Sequence, residues 1–339
     1  MNQKIKIKFN NFEYTKLKDF FPTKVLLENF DIEDVQDVDN ADVIVDLAYR
    51  WGSKDYLRKD KKRIIISNEN LYFKRNLFSL VESLMSKSGM IKKKYKILDI
   101  LDVYIPKIIS SFPFDYFMKK YLRLITKVSK DKEKDTYAII CNDIKGEYIF
   151  NLPYFIQEYY YTINSLKKNK TVPKKTKFCA FIVSSNSSRE RVDFFKKLSK
   201  YKKVDSYGKV MNNMGEDILE KNWIENYKLL RDYKFVICFE NSFANEYITE
   251  KIINAMRANA VPIYRGASNI GKYFNTKSFI NYNDYGTYDK MIEKIIQLDK
   301  DSLKYKMFMK QPWFLENKVP QIIKNKEKEL IEFYRRILE

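Results

Sequence analysis

The stretch from Lys234 to Gly266, KFVICFENSFANEYITEKIINAMRANAVPIYRG, leaves few choices of fold. Lys234–Phe239 is a short apolar run rich in β-branched and aromatic residues, the pattern of a buried strand. It stops at Glu240, Asn241 and Ser242, and the period then becomes helical. Ile248, Ile252, Ala255 and Met256 share one stripe if successive residues turn by about 100°. Asn245 is the expected N-cap of that helix, with Glu246 as an acid in its first turn. Ala260–Tyr264, closed by Arg265-Gly266, carries a second strand signal. Short buried strands around a helix predict a parallel sheet in an α/β fold.

The chemistry lies off the apolar stripe. Tyr247, Glu250 and Lys251, three and four apart, share a second face near the expected helix start. Glu240, Asn241 and Ser242 fall in the loop at the strand's carboxyl end, where open α/β sheets bind ligands. A helix N-terminus with a lysine beside it suits an anion, above all a phosphate. An ordinary surface Glu–Lys pair satisfies the same spacing.

The remaining strands extend the pattern. Lys4–Phe9 alternates lysine with apolar residues and reads as an edge-type strand. Phe20–Phe30 reads as loop and short helix, Ala41–Ala48 and Arg63–Ser67 as strands, and Tyr137–Asn142 as another. Lys177–Ser184 is a buried strand, and the helix after it has Ser187 or Ser188 as its cap and Phe194, Phe195 and Leu198 as its apolar face. Arg191 lies in that helix's first turn, unfavourable for the macrodipole unless an anion docks there. Arg189 competes for the same role, and either arginine can instead pair with Glu190 or Asp193. Tyr288–Leu298 and Lys318–Leu338 read as amphipathic helices. Residues from about 80 to 135 interleave Ile, Leu, Tyr and Phe with lysine clusters, as basic amphipathic helices broken at Pro106 and Pro113. They suit equally a cap on the first domain and an element for a membrane surface or an acceptor.

Length and composition narrow the function. The 339 residues are enough for two α/β domains with full cores. The formal charge of +20 favours an anionic partner, although lysine is abundant throughout and a nucleic-acid role is not favoured. With no histidine, imidazole acid–base catalysis and histidine metal sites are excluded. Cys141, Cys179 and Cys238 each fall in an expected buried strand without metal-like spacing, and read as reduced core residues of a cytoplasmic protein. No signal peptide and no membrane-spanning run are expected, which leaves a soluble chain or one peripheral at the inner membrane surface.

The motifs resemble those of α1,3/4-fucosyltransferases, the family 10 glycosyltransferases. Phe239–Ser242, Tyr247–Lys251 and Val261–Gly266 match the family's F-E-N-S, Y-V-T-E-K and V-P-I/V-x-x-G in order and spacing. Phe178–Ser184, Arg191, Phe194, Tyr201, Val204–Ser206, Gly208 and Asn212-Asn213 match a second conserved stretch, with Ser185-Asn186 where the family has N-P. Glu69 stands in the place of the glutamate of a family G-E-N loop, with Asn68 for the glycine. Tyr148–Tyr154 resembles the family's R-x-P-L-Y stretch and marks the hinge between domains.

The resemblance implies a GT-B architecture, two Rossmann-like domains facing a cleft. Residues 1–155 would bind the acceptor, residues 156–310 would bind GDP-fucose, and a C-terminal helix within 311–339 would pack back on the first domain. It implies inverting transfer of L-fucose to a hydroxyl of N-acetylglucosamine or glucose in an N-acetyllactosamine-like oligosaccharide. Glu69 would be the general base and Glu250 would stabilise the fucose or contact the ribose. Arg191 and Lys251 would hold the diphosphate, and Glu240, Asn241, Ser242 and Tyr247 would line the donor site. No cofactor and no obligatory metal are expected, because the cationic side chains can offset the leaving-group charge. The alternatives are a GT-B transferase using another nucleotide sugar and, less favoured, a basic binding module for nucleic acid or acidic glycan.

Overall fold

The computed structural model describes residues 4–10, 12, 17–48, 55, 58–67, 128, 135–141, 143–166, 168, 172–184, 189–215, 226–241 and 243–339. Glu69, Ser242, the capping serines 187 and 188, and the basic stretch at about 80–135 apart from Val128 and Asp135 lie outside them. The chain divides into two compact units, Met1–Leu152 with Glu327–Glu339, and Pro153–Lys326.

The first unit holds a six-stranded parallel sheet. Its strands are β1 (Ile5–Asn10), β2 (Ile32–Asp34), β3 (Val43–Leu47), β4 (Lys62–Ser67), β5 (Thr136–Ile140) and β6 (Ile149–Asn151), in the order β2-β1-β3-β4-β5-β6. β3 is buried along its whole length and β4 from Arg63 onward, as parallel strands covered on both faces must be. β1 corrects the edge-strand expectation: it lies between β2 and β3. The three-residue β2 has too little sequence to signal a strand, and the lysines of β1 are accommodated by partners such as Asp55, 2.9 Å from Lys8 Nζ.

The helix Phe21–Asn29 (α1) starts with proline in its first turn, where the missing amide hydrogen costs no helical bond. The segment Lys318–Leu338, expected as one helix, is two pieces, Gln321–Lys324 after Pro320 and the C-terminal helix Lys326–Leu338. Leu330, Phe333, Tyr334 and Ile337 form the buried face of the latter. Phe333 packs on Tyr137 and Phe150, and Tyr334 donates to the carbonyl of Pro22 at 2.9 Å. Lys62 Nζ donates to the Ile337 carbonyl at 2.6 Å, placing a cation on the helix's negative end.

The second unit holds a five-stranded parallel sheet. Its strands are β7 (Lys177–Phe181), β8 (Val204–Ser206), β9 (Tyr233–Phe239), β10 (Val261–Arg265) and β11 (Ile280–Asn281), in the order β11-β10-β9-β7-β8. Its helices include α2 (Tyr154–Ser165), α3 (Arg189–Ser199), α4 (Glu250–Arg257) and α5 (Tyr288–Lys300). Phe194, Phe195 and Leu198 of α3 meet Phe235, Ile237 and Phe239 of β9 and Met291, Ile295 and Leu298 of α5 in one core. The chain runs from β7 to β8 on one side and returns to β9 on the other, so strand order reverses between β7 and β9. Ligands of open α/β sheets bind at the carboxyl end of such a reversal.

Several motif residues turn out to be structural. A Cβ added at Gly208 would lie 2.2 Å from the Val183 carbonyl oxygen, so only glycine lets the two backbones approach. Asn213 continues the β8 ladder with its side chain, accepting from Ser206 N at 2.8 Å and donating to Val204 O at 2.9 Å. Tyr233 donates to Asp205 Oδ2 at 2.8 Å. Cys141, Cys179 and Cys238 are buried and form no disulfide, and burial pushes the thiols of Cys179 and Cys238 well up.

Candidate active site

Helix α4 begins at Glu250, later than its sequence pattern indicates, and Thr249 is its N-cap. Asn245 is therefore not the cap, and Glu246, Tyr247 and Ile248 lie in the preceding loop and not on the helix. The Thr249 hydroxyl does not bond the helix's own amides. It donates instead to Glu240 Oε2 at 2.6 Å, while the Thr249 amide donates to Glu240 Oε1 at 2.8 Å. A local capping rule cannot foresee a hydroxyl taken by a carboxylate on the neighbouring strand end.

Glu240 has no exposed surface. Lys251 Nζ lies 3.2 Å from Glu240 Oε2, 2.8 Å from Thr249 Oγ1 and 3.2 Å from Glu250 Oε1. An ammonium has three donors, and here each has an acceptor. Burial pulls the Lys251 ammonium down, but Glu240 and Glu250 outweigh it and leave its pKa above the ordinary lysine value. Burial raises the Glu240 carboxyl, Glu250 adds to the rise, and Lys251 and the Thr249 bonds offset part of it. Gly266 makes room for this carboxylate, since a Cβ there would meet Glu240 Cγ at 2.6 Å and the Tyr264 hydroxyl.

Across the β7/β9 reversal, Arg191 in the first turn of α3 is 1% exposed, and its Nη1 donates to Asn241 Oδ1 at 2.5 Å. Burial draws the Arg191 guanidinium below the usual arginine range, while Glu240, Tyr247 and Glu250 pull the other way. Asn241 itself is exposed. Arg189 points elsewhere: its side chain is 92% exposed and sits 3.7 Å from Asp193. Tyr247 is buried and Glu250 is partly exposed.

The structure thus brings Arg191, Glu240, Asn241, Tyr247, Glu250 and Lys251 to the carboxyl edge of β9 within one unit. Sequence reasoning did not single out Thr249, the hub of the network, nor the tyrosines of α2. Burial pushes the phenols of Tyr154 and Tyr159 up, with Glu250 the next cause for both, so they stay protonated beside that carboxylate. A cavity of about 50 Å³ opens between Glu250, Lys251 and Asn254 on one side and Asn226, Leu230 and Val236 on the other. Chemically, the edge offers a buried guanidinium, an amide, a carboxylate beside phenols, and the free amides at the start of α4, a set suited to a phosphorylated sugar.

Residues 172–334 match glycosyltransferase family 10 (fucosyltransferase) C-term. The chain is 37% identical over 123 residues to an alpha-(1,3)-fucosyltransferase of Helicobacter pylori, covering 36% of this chain and 25% of that protein. It is 34% identical over 137 residues to the human 4-galactosyl-N-acetylglucosaminide 3-alpha-L-fucosyltransferase 9, covering 40% of this chain and 36% of the relative. The chain therefore spans a quarter to about a third of the length of these relatives. Its fold is that of a crystal structure of an alpha1,3-fucosyltransferase with GDP-fucose, at a TM-score of 0.63 and 19% identity over 99% of this chain and 90% of the other. Two parallel-sheet α/β units of this kind make the fold GT-B, and the second of them carries most of the match to the C-terminal domain of glycosyltransferase family 10.

Proposed function

We propose that this protein transfers L-fucose from GDP-fucose to a hydroxyl of an N-acetylglucosamine or glucose unit, with inversion and α1,3 linkage. The observation that carries the reading is the buried Arg191 joined to Asn241 beside the Glu240–Thr249–Lys251–Glu250 network, at the sheet edge where a nucleotide diphosphate docks. Departure of GDP builds negative charge on the diphosphate, and a planar guanidinium offers it two parallel donors. The amides at the start of α4 add a partial positive charge. Lys251, held among three acceptors, contributes its charge from behind and positions Glu250.

Glu250 faces the sugar or the ribose in this reading, with Tyr154 and Tyr159 holding protons near it. Glu69 takes the proton of the acceptor hydroxyl, as a single displacement requires one base. No metal is required, because fixed cations and helix amides meet the leaving-group charge. The support for GDP-fucose is the match of residues 172–334 to the fucosyltransferase family. The acceptor is proposed from the relative whose name specifies a galactosyl-N-acetylglucosaminide.

GDP release from GDP-fucose, measured with and without N-acetyllactosamine in EDTA, tests the proposal. Acceptor-dependent release that survives EDTA and collapses in Glu250→Ala is the expected result. Turnover of a different nucleotide sugar in preference to GDP-fucose would shift the donor assignment, and absence of GDP binding would overturn the reading.

A further inference from the structure

Glu246 is the one residue of the loop between β9 and α4 that combines a left-handed backbone with a buried carboxylate. Its φ is 66°, a region glycine enters freely and a side-chain-bearing residue enters under strain. Such strain persists only where the surroundings fix it, and here the partners of the carboxylate and of the amide come from the loop after β10. The Glu246 amide donates to Asn269 Oδ1 at 3.1 Å, and Asn269 Nδ2 donates back to Glu246 Oε1 at 2.6 Å. Lys272 Nζ lies 3.1 Å from Oε1, and the buried Tyr273 hydroxyl donates to Oε2. Beside this, Ser268 Oγ donates to Asn245 Oδ1 at 2.6 Å.

Tyr273 carries the link onward. Its ring sits 5.1 Å from that of Phe155 at the start of α2, and the Phe155 amide donates to the Ile248 carbonyl at 3.0 Å. The loop after β9 is thereby tied on both sides, to the loop after β10 and to α2. Tyr247 and the N-cap Thr249 ride on the tied segment. A fold needing only a compact loop here would do better with glycine, which relieves the backbone and leaves the helix start untouched.

We propose that Glu246 is a positioning residue for donor binding: its carboxylate clasps the loop after β9 to the loop after β10, and so holds Tyr247 and the start of α4 in place for the nucleotide sugar. The proposal rests on the donor reading given above. It concerns a group that touches no substrate and acts through the loop it fixes.

The test compares wild type, Glu246→Gly and Glu246→Gln in donor kinetics, thermal unfolding and hydrogen exchange of residues 244–249. Glycine removes the clasp and the strain together. Glu246→Gly is expected to keep or raise the thermal midpoint, to raise the KM for GDP-fucose about tenfold with kcat nearly unchanged, and to speed exchange in that segment alone. Glu246→Gln keeps one acceptor oxygen for Asn269 and turns an amide N–H toward the Tyr273 hydroxyl, which can accept it, and is expected to recover a KM within about threefold of wild type. A wild-type KM in Glu246→Gly, or a fall of midpoint and kcat together, would overturn the proposal. If the wild type itself turns over no GDP-fucose, the donor reading fails. The clasp is then judged by exchange, and unchanged protection of residues 244–249 in Glu246→Gly would overturn it.

Discussion

Lys251 Nζ and Glu240 Oε2 lie 3.2 Å apart, with the glutamate wholly buried and the lysine side chain 15% exposed. Removing one member of such a pair leaves the other charge in a dry site, which costs more than the pair itself contributes. Lys251→Met is therefore expected to destabilise the protein by about 3–5 kcal/mol, read as a fall in the urea midpoint. Adding Glu240→Gln removes the orphaned charge, and the double variant should recover part of that loss. Strict additivity of the two single effects would show that the pair is not coupled.

The same pair sets a dependence on alkaline pH. The folded-state pKa of Lys251 lies above the ordinary 10.5, so its contribution to stability is complete below the unfolded value and is lost as pH rises through the folded one. The buried phenols Tyr154, Tyr159 and Tyr264 are raised as well and act with the same sign. The informative quantity is the difference between wild type and Lys251→Met in thermal midpoint from pH 8 to 11. That difference should shrink as the pH passes about 10.5, and a constant difference would refute the assignment.

Arg191 and Arg189 should separate cleanly in GDP binding. Arg191→Lys replaces a planar fork by a point charge in a buried site, and a loss of about 1.5–3 kcal/mol in GDP affinity follows from one charged hydrogen bond. Arg189→Ala removes an exposed side chain and should leave affinity unchanged. Calorimetric titration with GDP gives both values, and equal losses would remove Arg191 from the diphosphate site.

Two glycines give opposite outcomes. Gly208→Ala drives a methyl group into the Val183 backbone, where the nearest atom lies at 2.2 Å, and neither strand end can yield without breaking the β7/β8 pairing. A loss of about 3 kcal/mol or more is expected, at the severe end of overpacking. At Gly271 the nearest atom to an added Cβ is Thr276 Cγ2 at 3.5 Å, an ordinary contact. Gly271→Ala should stay within about 0.5 kcal/mol of wild type in the same denaturation assay.

The C-terminal helix should report on the first unit alone. Tyr334→Phe removes the bond to the Pro22 carbonyl and is expected to cost about 1 kcal/mol. Tyr334→Ala also empties a fully buried site and should cost about 3–5 kcal/mol. Urea unfolding of the two variants distinguishes the hydrogen bond from the packing, and equal losses would contradict it.

What the chain declares by itself is what depends on neighbours in sequence. Runs such as Val43–Leu47 and Tyr233–Phe239, and stripes such as Phe194, Phe195 and Leu198, are legible because a strand buried on two faces and a helix buried on one must each repeat apolar residues at a fixed period. The E-N-S and Y-I-T-E-K motifs were legible as a ligand edge for a similar reason: they end one strand and open the next helix. What tertiary structure decided are the uses of polar groups across strands. Thr249, not Asn245, caps α4, because Glu240 on the adjacent strand end holds it in place. Arg191, not Arg189, faces the site, because the helix turns one inward and the other to water. Lys251 is drawn to Glu240 on the preceding strand end as well as to its neighbours Thr249 and Glu250, and Glu246 is held in a left-handed turn by partners on the loop after β10. Hydrogen bonds are short-ranged and directional, and the strength of a charge pair depends on its distance and burial, so their partners follow from the packed fold and not from spacing along the chain.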